Sequence, residues 1–272
     1  MFSPSARLSP ILVLSAAAVL LWPMSSRALT VDEFFDLVSK SQVADSYIAR
    51  ARESGRIGDH RLSNEHLITW AGDGRFRVSS TFNLAGWPKP LELEAWFDGA
   101  VAYVAARSQG IRRYTRIDFS ELPAGPPFPQ PKSIGSIFNP LAFCLFERKG
   151  LEDYQLSVTD GDRVLGKETY LLRAMLKEGV KPETVTFEGK EVQTQAGEIL
   201  AWYGKGDSML YRFSLRIGGE PTYTWELTDL QLNPVVADGD LAPGMPEGQQ
   251  LFDATGEFKS SMRMFQERAA EK

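Results

Sequence analysis

From about residue 60 onward the chain alternates apolar and polar residues with a period of two, and this pattern constrains the fold more than any other feature. In residues 76–83, Phe76, Val78 and Phe82 alternate with Arg77, Ser79, Thr81 and Asn83. In residues 91–97, Leu91, Leu93, Ala95 and Phe97 alternate with Glu92, Glu94 and Trp96. The pattern returns at Leu156/Val158, Tyr170/Leu172, Val185/Phe187, Tyr211/Phe213/Leu215/Ile217 and Tyr223/Trp225/Leu227. Successive side chains of a strand point to opposite faces, so these segments predict half-buried antiparallel strands with one apolar and one polar face. Turn signals separate several of them: Asp73-Gly74, Asp98-Gly99, Asp160-Gly161, Glu188-Gly189, the run from Gly204 to Asp207, and Gly218-Gly219.

A sheet of this size must cover its apolar face, and the chain offers few helices for the purpose. Thr30 and Glu33 have capping-box spacing, with Asp32 favourable in the first turn. Val31, Phe34, Phe35, Val38 and Tyr47–Ile48 form an apolar stripe, while Lys40, Asp45, Arg50 and Arg52 lie elsewhere. This predicts an amphipathic helix of roughly 20 residues ending near Ser54-Gly55. A short helix is expected around residues 133–147, and another around 257–269 with Phe258, Met262 and Phe265. The expected fold is mainly β (α+β): a curved antiparallel half-barrel whose N-terminal helix and short helices cover a concave apolar face. One such domain over residues 29–252 and a helical tail over 253–272 account for the mature chain. Residues 122–131 hold five prolines and read as an extended, exposed connection.

The first 28 residues read as a secretory signal. Arg7 precedes an apolar run over residues 11–22 containing Leu12, Leu14, Val19, Leu20 and Leu21, and Ser26-Arg27-Ala28 places small residues for cleavage after Ala28. The run is shorter than the roughly 20 residues a membrane span needs. The only charges of residues 1–28 are Arg7 and Arg27, so removal takes the net charge from −5 to −7. That balance argues against nucleic acid, and against an anionic membrane, as primary partner. With one cysteine no internal disulfide can form, and Cys144, flanked by Phe143, Leu145 and Phe146, reads as a buried small hydrophobe.

Catalytic chemistry is not assembled in any recognisable way, so the chain is read as a non-enzyme with no catalytic residues, metal site or cofactor. The two histidines, His60 and His66, read as a surface residue and a strand-edge residue. Gly206-Asp207-Ser208-Met209 looks like a hydrolase nucleophile block, but no histidine follows residue 66, and Gly-x-Gly-Asp is ordinary turn chemistry. Asp160-Gly161-Asp162 and Asp238-Gly239-Asp240 lack the spaced oxygens and closing glutamate of a calcium loop. No phosphate-binding loop or glycosylation sequon occurs.

Three blocks carry a resemblance: Gly74-Arg75-Phe76-Arg77; Trp96-Phe97-Asp98-Gly99 with Ala102-Tyr103-Val104; and the run from Tyr223 to Pro234, followed by Pro246-Glu247-Gly248. In order and pattern, over roughly residues 30–250, the chain resembles the periplasmic outer-membrane lipoprotein carrier (LolA-like) superfamily. It departs from that pattern where Val104-Ala105-Ala106 follows Tyr103 and where Leu241-Ala242-Pro243 replaces an expected phenylalanine. The resemblance implies a periplasmic half-barrel that holds lipid or the acyl chains of lipoproteins, loaded by an inner-membrane complex and unloaded to an outer-membrane acceptor. Each buried methylene contributes about 0.8 kcal/mol, so a dozen carbons hold a lipid without any charged contact. The residues expected to line the concavity are Phe76, Val78, Phe82, Leu93, Phe97, Tyr211, Phe213, Tyr223 and Trp225; a fully packed core is the other reading of the same alternation. The resemblance assigns gating to Arg77, whereas strand alternation puts Arg77 on the solvated face. The alternative function is an envelope regulator or scaffold that uses the same fold to bind a protein partner.

Overall fold

The structure, a computed structural model, describes residues 29–40, 44–57, 60–71, 74–85, 88–121, 151–182, 184–187, 190–193, 195–217, 220–245 and 248–260. Helix α1 (Val31–Lys40) leads into β1 (Ser46–Ile57), β2 (His60–Ala71), β3 (Phe76–Leu84), β4 (Leu91–Phe97), β5 (Val101–Ser108) and β6 (Ile111–Asp118). After a 3-10 turn (Phe119–Glu121), the described chain resumes with β7 (Tyr154–Val164), β8 (Lys167–Leu176), β9 (Thr184–Phe187) and β10 (Lys190–Gln193). It continues with β11 (Glu198–Gly204), β12 (Leu210–Ile217), β13 (Glu220–Leu232), the short helix α2 (Asp238–Leu241) and β14 (Leu251–Asp253).

Twelve strands form one sheet in the order β14-β6-β5-β4-β3-β2-β1-β13-β12-β11-β8-β7, with β9 and β10 as a separate hairpin. Every pairing in the large sheet is antiparallel except that of β14 with β6. The terminal strands β7 and β14 do not pair with each other, so the curved sheet stays open: the expected half-barrel. No helix among the described residues is long and apolar enough to cross a membrane.

The face carrying α1 is the inner face. Thr30 caps the helix as the sequence predicts: the Glu33 amide donates to Thr30 Oγ1 (3.2 Å) and the Thr30 amide to Glu33 Oε2 (2.9 Å). Phe34 points down from α1 onto Tyr203 (5.1 Å between ring centres) and Tyr170 (6.4 Å). Tyr47, Ala49, Ile68, Trp70, Val78 and Leu172 extend this core across the sheet.

Three expectations need correction. The N-terminal helix ends at Lys40, not near Gly55; residues 46–57 are a central strand, β1, paired throughout with β2 and along most of its length with β13. Tyr47, Ala49 and Ala51 are buried at alternate positions while Arg50 and Arg52 face out, so a period of two begins earlier than the apolar stripe suggested. Asp160-Gly161 is not a turn but lies within β7; the β7–β8 reversal is Leu165-Gly166, both at positive φ (49° and 73°). Gly161 is there for close approach, since a Cβ would meet Thr169 Oγ1 at 2.5 Å and Trp202 Cδ1 at 3.0 Å. His66 is no strand-edge residue: it sits in the middle of β2, with β1 and β3 on either side, and is 3% exposed.

Other readings stand. The run from Gly204 to Met209 is a turn between β11 and β12, where Asp207 accepts from the Met209 amide and the Tyr211 hydroxyl. The Asp98-Gly99 turn joins β4 to β5, with Gly99 at φ +100°. Asp238-Gly239-Asp240 forms part of α2. A helix begins at residue 255 and is described to 260. The expected helix at 133–147, the proline-rich run 122–131, Cys144, Met262 and Phe265 lie outside the described residues.

The segment after β13 laces the sheet together. Asp238 of α2 pairs with Arg75 (2.8 Å), and Met245 packs on Trp96 and Tyr114 on the outer face of β4 and β6. The chain then joins the edge of β6 as β14, where Asp253 pairs with Arg116 (2.8 Å). Phe258 finally returns to the inner core, edge-on to Phe119 at 5.5 Å.

Candidate binding site on the inner face

Cross-strand register brings the nine expected lining residues to one face. Phe76 lies opposite both Trp70 and Phe97, Val78 opposite Ile68 and Ala95, Phe82 opposite Leu91, and Phe213 opposite Trp225. Phe76, Val78, Phe97, Tyr211, Phe213 and Trp225 are buried, whereas Phe82, Leu93 and Tyr223 remain partly exposed.

That split follows position along the strands. Each hairpin tip fixes a direction: the connections β1–β2, β3–β4 and β5–β6 lie at one end of the sheet, here the tip end, and α1 lies at the other, the base end. At the base end an aromatic series runs across the inner face: Tyr47–Trp70 (6.2 Å), Trp70–Phe76 (6.4 Å), Phe76–Phe97 (5.4 Å) and Phe97–Phe119 (5.7 Å). This half is packed, with the rings in the offset and edge-on arrangements that aromatic quadrupoles favour. Toward the tip end, Phe82, Leu91, Leu93, Leu215 and Tyr223 are only partly covered. Their apolar surface is what the inner face has left to offer a guest.

Level with Phe82 and Leu93 lies a polar cluster that the sequence did not reveal as a site. His66 Nδ1 is 2.9 Å from Ser80 Oγ, and His66 Nε2 is 3.3 Å from Glu53 Oε2. Asn64 donates to Glu53 Oε2 at 2.5 Å, and the Tyr223 hydroxyl donates to Glu53 Oε1. Burial alone would raise the Glu53 pKa, but the hydrogen bonds from His66, Tyr223 and Asn64 outweigh it and hold the carboxyl below its ordinary range. The order serine, histidine, glutamate looks like a nucleophile with its base. Acyl transfer also needs free backbone donors for an oxyanion, and Ser80 sits inside a strand paired on both sides, where those donors serve the ladder. The cluster therefore reads as a hydrogen-bonded strut across β1, β2, β3 and β13. A usable signal exists: Asn64 and His66 share the parity of Ile68 and Trp70, and Ser80 that of Val78 and Phe82.

Two further inner-face donors, Tyr47 Oη and Trp225 Nε1, are buried with no hydrogen-bond partner among the described residues. Burial raises the Tyr47 pKa far beyond its ordinary value, so its hydroxyl remains a donor. Among the described residues, no group of histidines, cysteines and carboxylates is placed to hold a metal ion.

Arg77 lies on the outer face, as its parity requires. Its guanidinium sits 5.7 Å from the centre of the Trp96 ring, pairs with Glu94 (3.4 Å) and reaches the Asp240 carbonyl (3.5 Å). It thus ties β3 to the segment that crosses the outer face. The outer face also carries a polar groove of about 580 Å³ walled by Arg52, Glu65, Glu92, Arg107 and Arg112. Its charges are largely matched: Arg52–Glu65 (3.7 Å), Arg107–Glu92 (3.4 Å) and Arg112–Glu94 (2.8 Å).

No family profile and no curated protein matches the sequence. Among solved structures the chain is similar to an uncharacterized conserved protein from Thermus thermophilus, at 11% identity and a TM-score of 0.45, over 82% of this chain and 98% of that one. It is similar to LprF from Mycobacterium bovis at 13% identity and a TM-score of 0.39, over 78% of this chain and 99% of that one. A LolA superfamily protein from Nitrosomonas europaea shows 10% identity and a TM-score of 0.30, over 79% of this chain and 99% of that one.

Proposed function

We propose that this chain is a non-catalytic envelope protein that holds a hydrophobic cargo, an acyl chain of a lipid or lipoprotein, against the inner face of its half-barrel. The observation that supports this most is the contrast along the inner face: packed aromatics at the base end, partly exposed Phe82, Leu91, Leu93 and Leu215 at the tip end. An open sheet that leaves large apolar side chains uncovered on its inner face has surface for a chain to occupy. The apolar run at residues 11–22 and the small residues before Ala28 fit export to the periplasm, which is where we place the protein.

The reading is tested by titrating residues 29–272 with a fluorescent fatty acid. Phe82→Glu and Leu93→Glu are expected to weaken binding at least tenfold, since each puts a charge where a chain would lie. Thr81→Glu, one position away on the outer face, is expected to bind as the parent does. Equal binding by all four proteins, or no binding by the parent, would overturn the reading and favour the protein-partner alternative.

A further inference from the structure

The net charge of −5 conceals a segregation that the topology creates. Strands β1 to β6 are consecutive neighbours in the sheet, so the tips β1–β2, β3–β4 and β5–β6 stand in a row about 24 Å long at the usual strand spacing. Arg56, Arg61, Lys89, Arg107, Arg112 and Arg113 are gathered along that row, and all six are exposed. Asp59 is the one acid that the sequence places in the three connections. Arg107 and Arg112 are paired inward to Glu92 and Glu94, while Arg61, Lys89 and Arg113 have no ion pair among the described residues. At the base end the balance reverses, with Asp32, Asp36, Asp45, Asp98, Glu121 and Asp240 exposed.

The tip row carries apolar groups among its charges. Ile111, 62% exposed, stands at the β5–β6 reversal beside Arg112 and Arg113, and Pro88 and Pro90 flank Lys89. A nucleic-acid surface would be met by the charges alone. An exposed isoleucine beside long cationic side chains matches a bilayer interface, where the apolar group enters the acyl boundary and the cations reach lipid phosphates.

We propose that the tip end docks on a bilayer surface rich in anionic phospholipid, through Arg61, Lys89 and Arg113 with Ile111 inserted. The acidic base end then points away from the membrane, so repulsion favours one orientation. That orientation brings the partly exposed apolar half of the inner face toward the lipid. Docking requires no bound cargo, so it succeeds or fails independently of the acyl-chain reading.

The experiment is co-sedimentation of residues 29–272 with vesicles of phosphatidylcholine alone and of phosphatidylcholine with phosphatidylglycerol. Binding is expected only to the anionic vesicles, and is expected to fall when sodium chloride is raised from about 50 to 500 mM. Each surface-adjacent cation strengthens binding about fivefold, so the triple variant Arg61→Gln, Lys89→Gln, Arg113→Gln should bind roughly a hundredfold more weakly. Ile111→Asp should also weaken it, and Glu121→Gln at the base end should not. All substituted side chains are exposed, and unchanged circular dichroism and melting confirm folding. Equal binding to both vesicle types, or a triple variant that binds as the parent does, overturns the proposal. So does failure to bind anionic vesicles by a protein that still captures polyglutamate, which would make the row a docking surface for acidic protein.

Discussion

Glu53 joins three strands through one side chain. It belongs to β1, yet it takes hydrogen bonds from Asn64 and His66 of β2 and from Tyr223 of β13, which is 170 positions away in sequence. A carboxyl whose folded pKa lies below its unfolded value near 4.5 contributes stability above that value and loses it as the pH falls through the folded pKa. Melting temperature should therefore drop on acidification below about pH 4.5 more steeply in the parent than in Glu53→Gln. At pH 7 the substitution should cost about 1–3 kcal/mol, the usual worth of hydrogen bonds to a buried charge. Parallel acid limbs for the two proteins would show that other carboxylates set the acid sensitivity. Parity within β2 and β3 puts Asn64, His66 and Ser80 on the inner face, but their meeting with Glu53 and Tyr223 could not be read from spacing, because the members lie on four strands and only pairing aligns them. Gly161 also acts at a distance in sequence, against Thr169 and Trp202. There Gly161→Ala should destabilise by about 1–3 kcal/mol in urea unfolding, since the added methyl has no room between β7 and β8. A change within a few tenths of a kcal/mol would mean that the strands separate easily.

At the scale of elements, β3, β4, β12 and the first half of β13 were plain in the sequence because every second residue of each is apolar, Ser80 of β3 excepted. β1 was not. Its inward positions after Tyr47 are Ala49 and Ala51, small residues with high helical propensity, next to Arg50 and Arg52. Local preference there points to helix; the strand exists because β2 and β13 are available on both sides to pair with it. β11 was missed for a related reason. Leu200, Ala201, Trp202 and Tyr203 are all buried, so the alternation vanishes where both faces are covered. The capping box at Thr30, by contrast, is a purely local device, and it forms as read.

For the whole molecule, the charge distribution matters more than its sum. Net acidity argues against an anionic membrane only if the charge is spread evenly, and it is not: exposed arginines and Lys89 line the tip end while aspartates dominate the base end. Residues 29–272 should be retained on a cation exchanger at pH 7 and low salt despite their net acidity. The triple variant at Arg61, Lys89 and Arg113 should elute in the flow-through, and retention of both proteins alike would place the binding surface elsewhere. The sequence by itself determined the class of fold and, in regularly alternating strands such as β3, β4 and β12, which residues share a face, because side-chain parity is a local property of an extended chain. Only the tertiary structure decided that β13 lies beside β1, that His66 meets Ser80 and Glu53, that the apolar face is packed at one end and partly open at the other, and that cations far apart in sequence stand in one row. Those outcomes depend on which strands pair and in what register, and that is settled by long-range contacts no single segment contains.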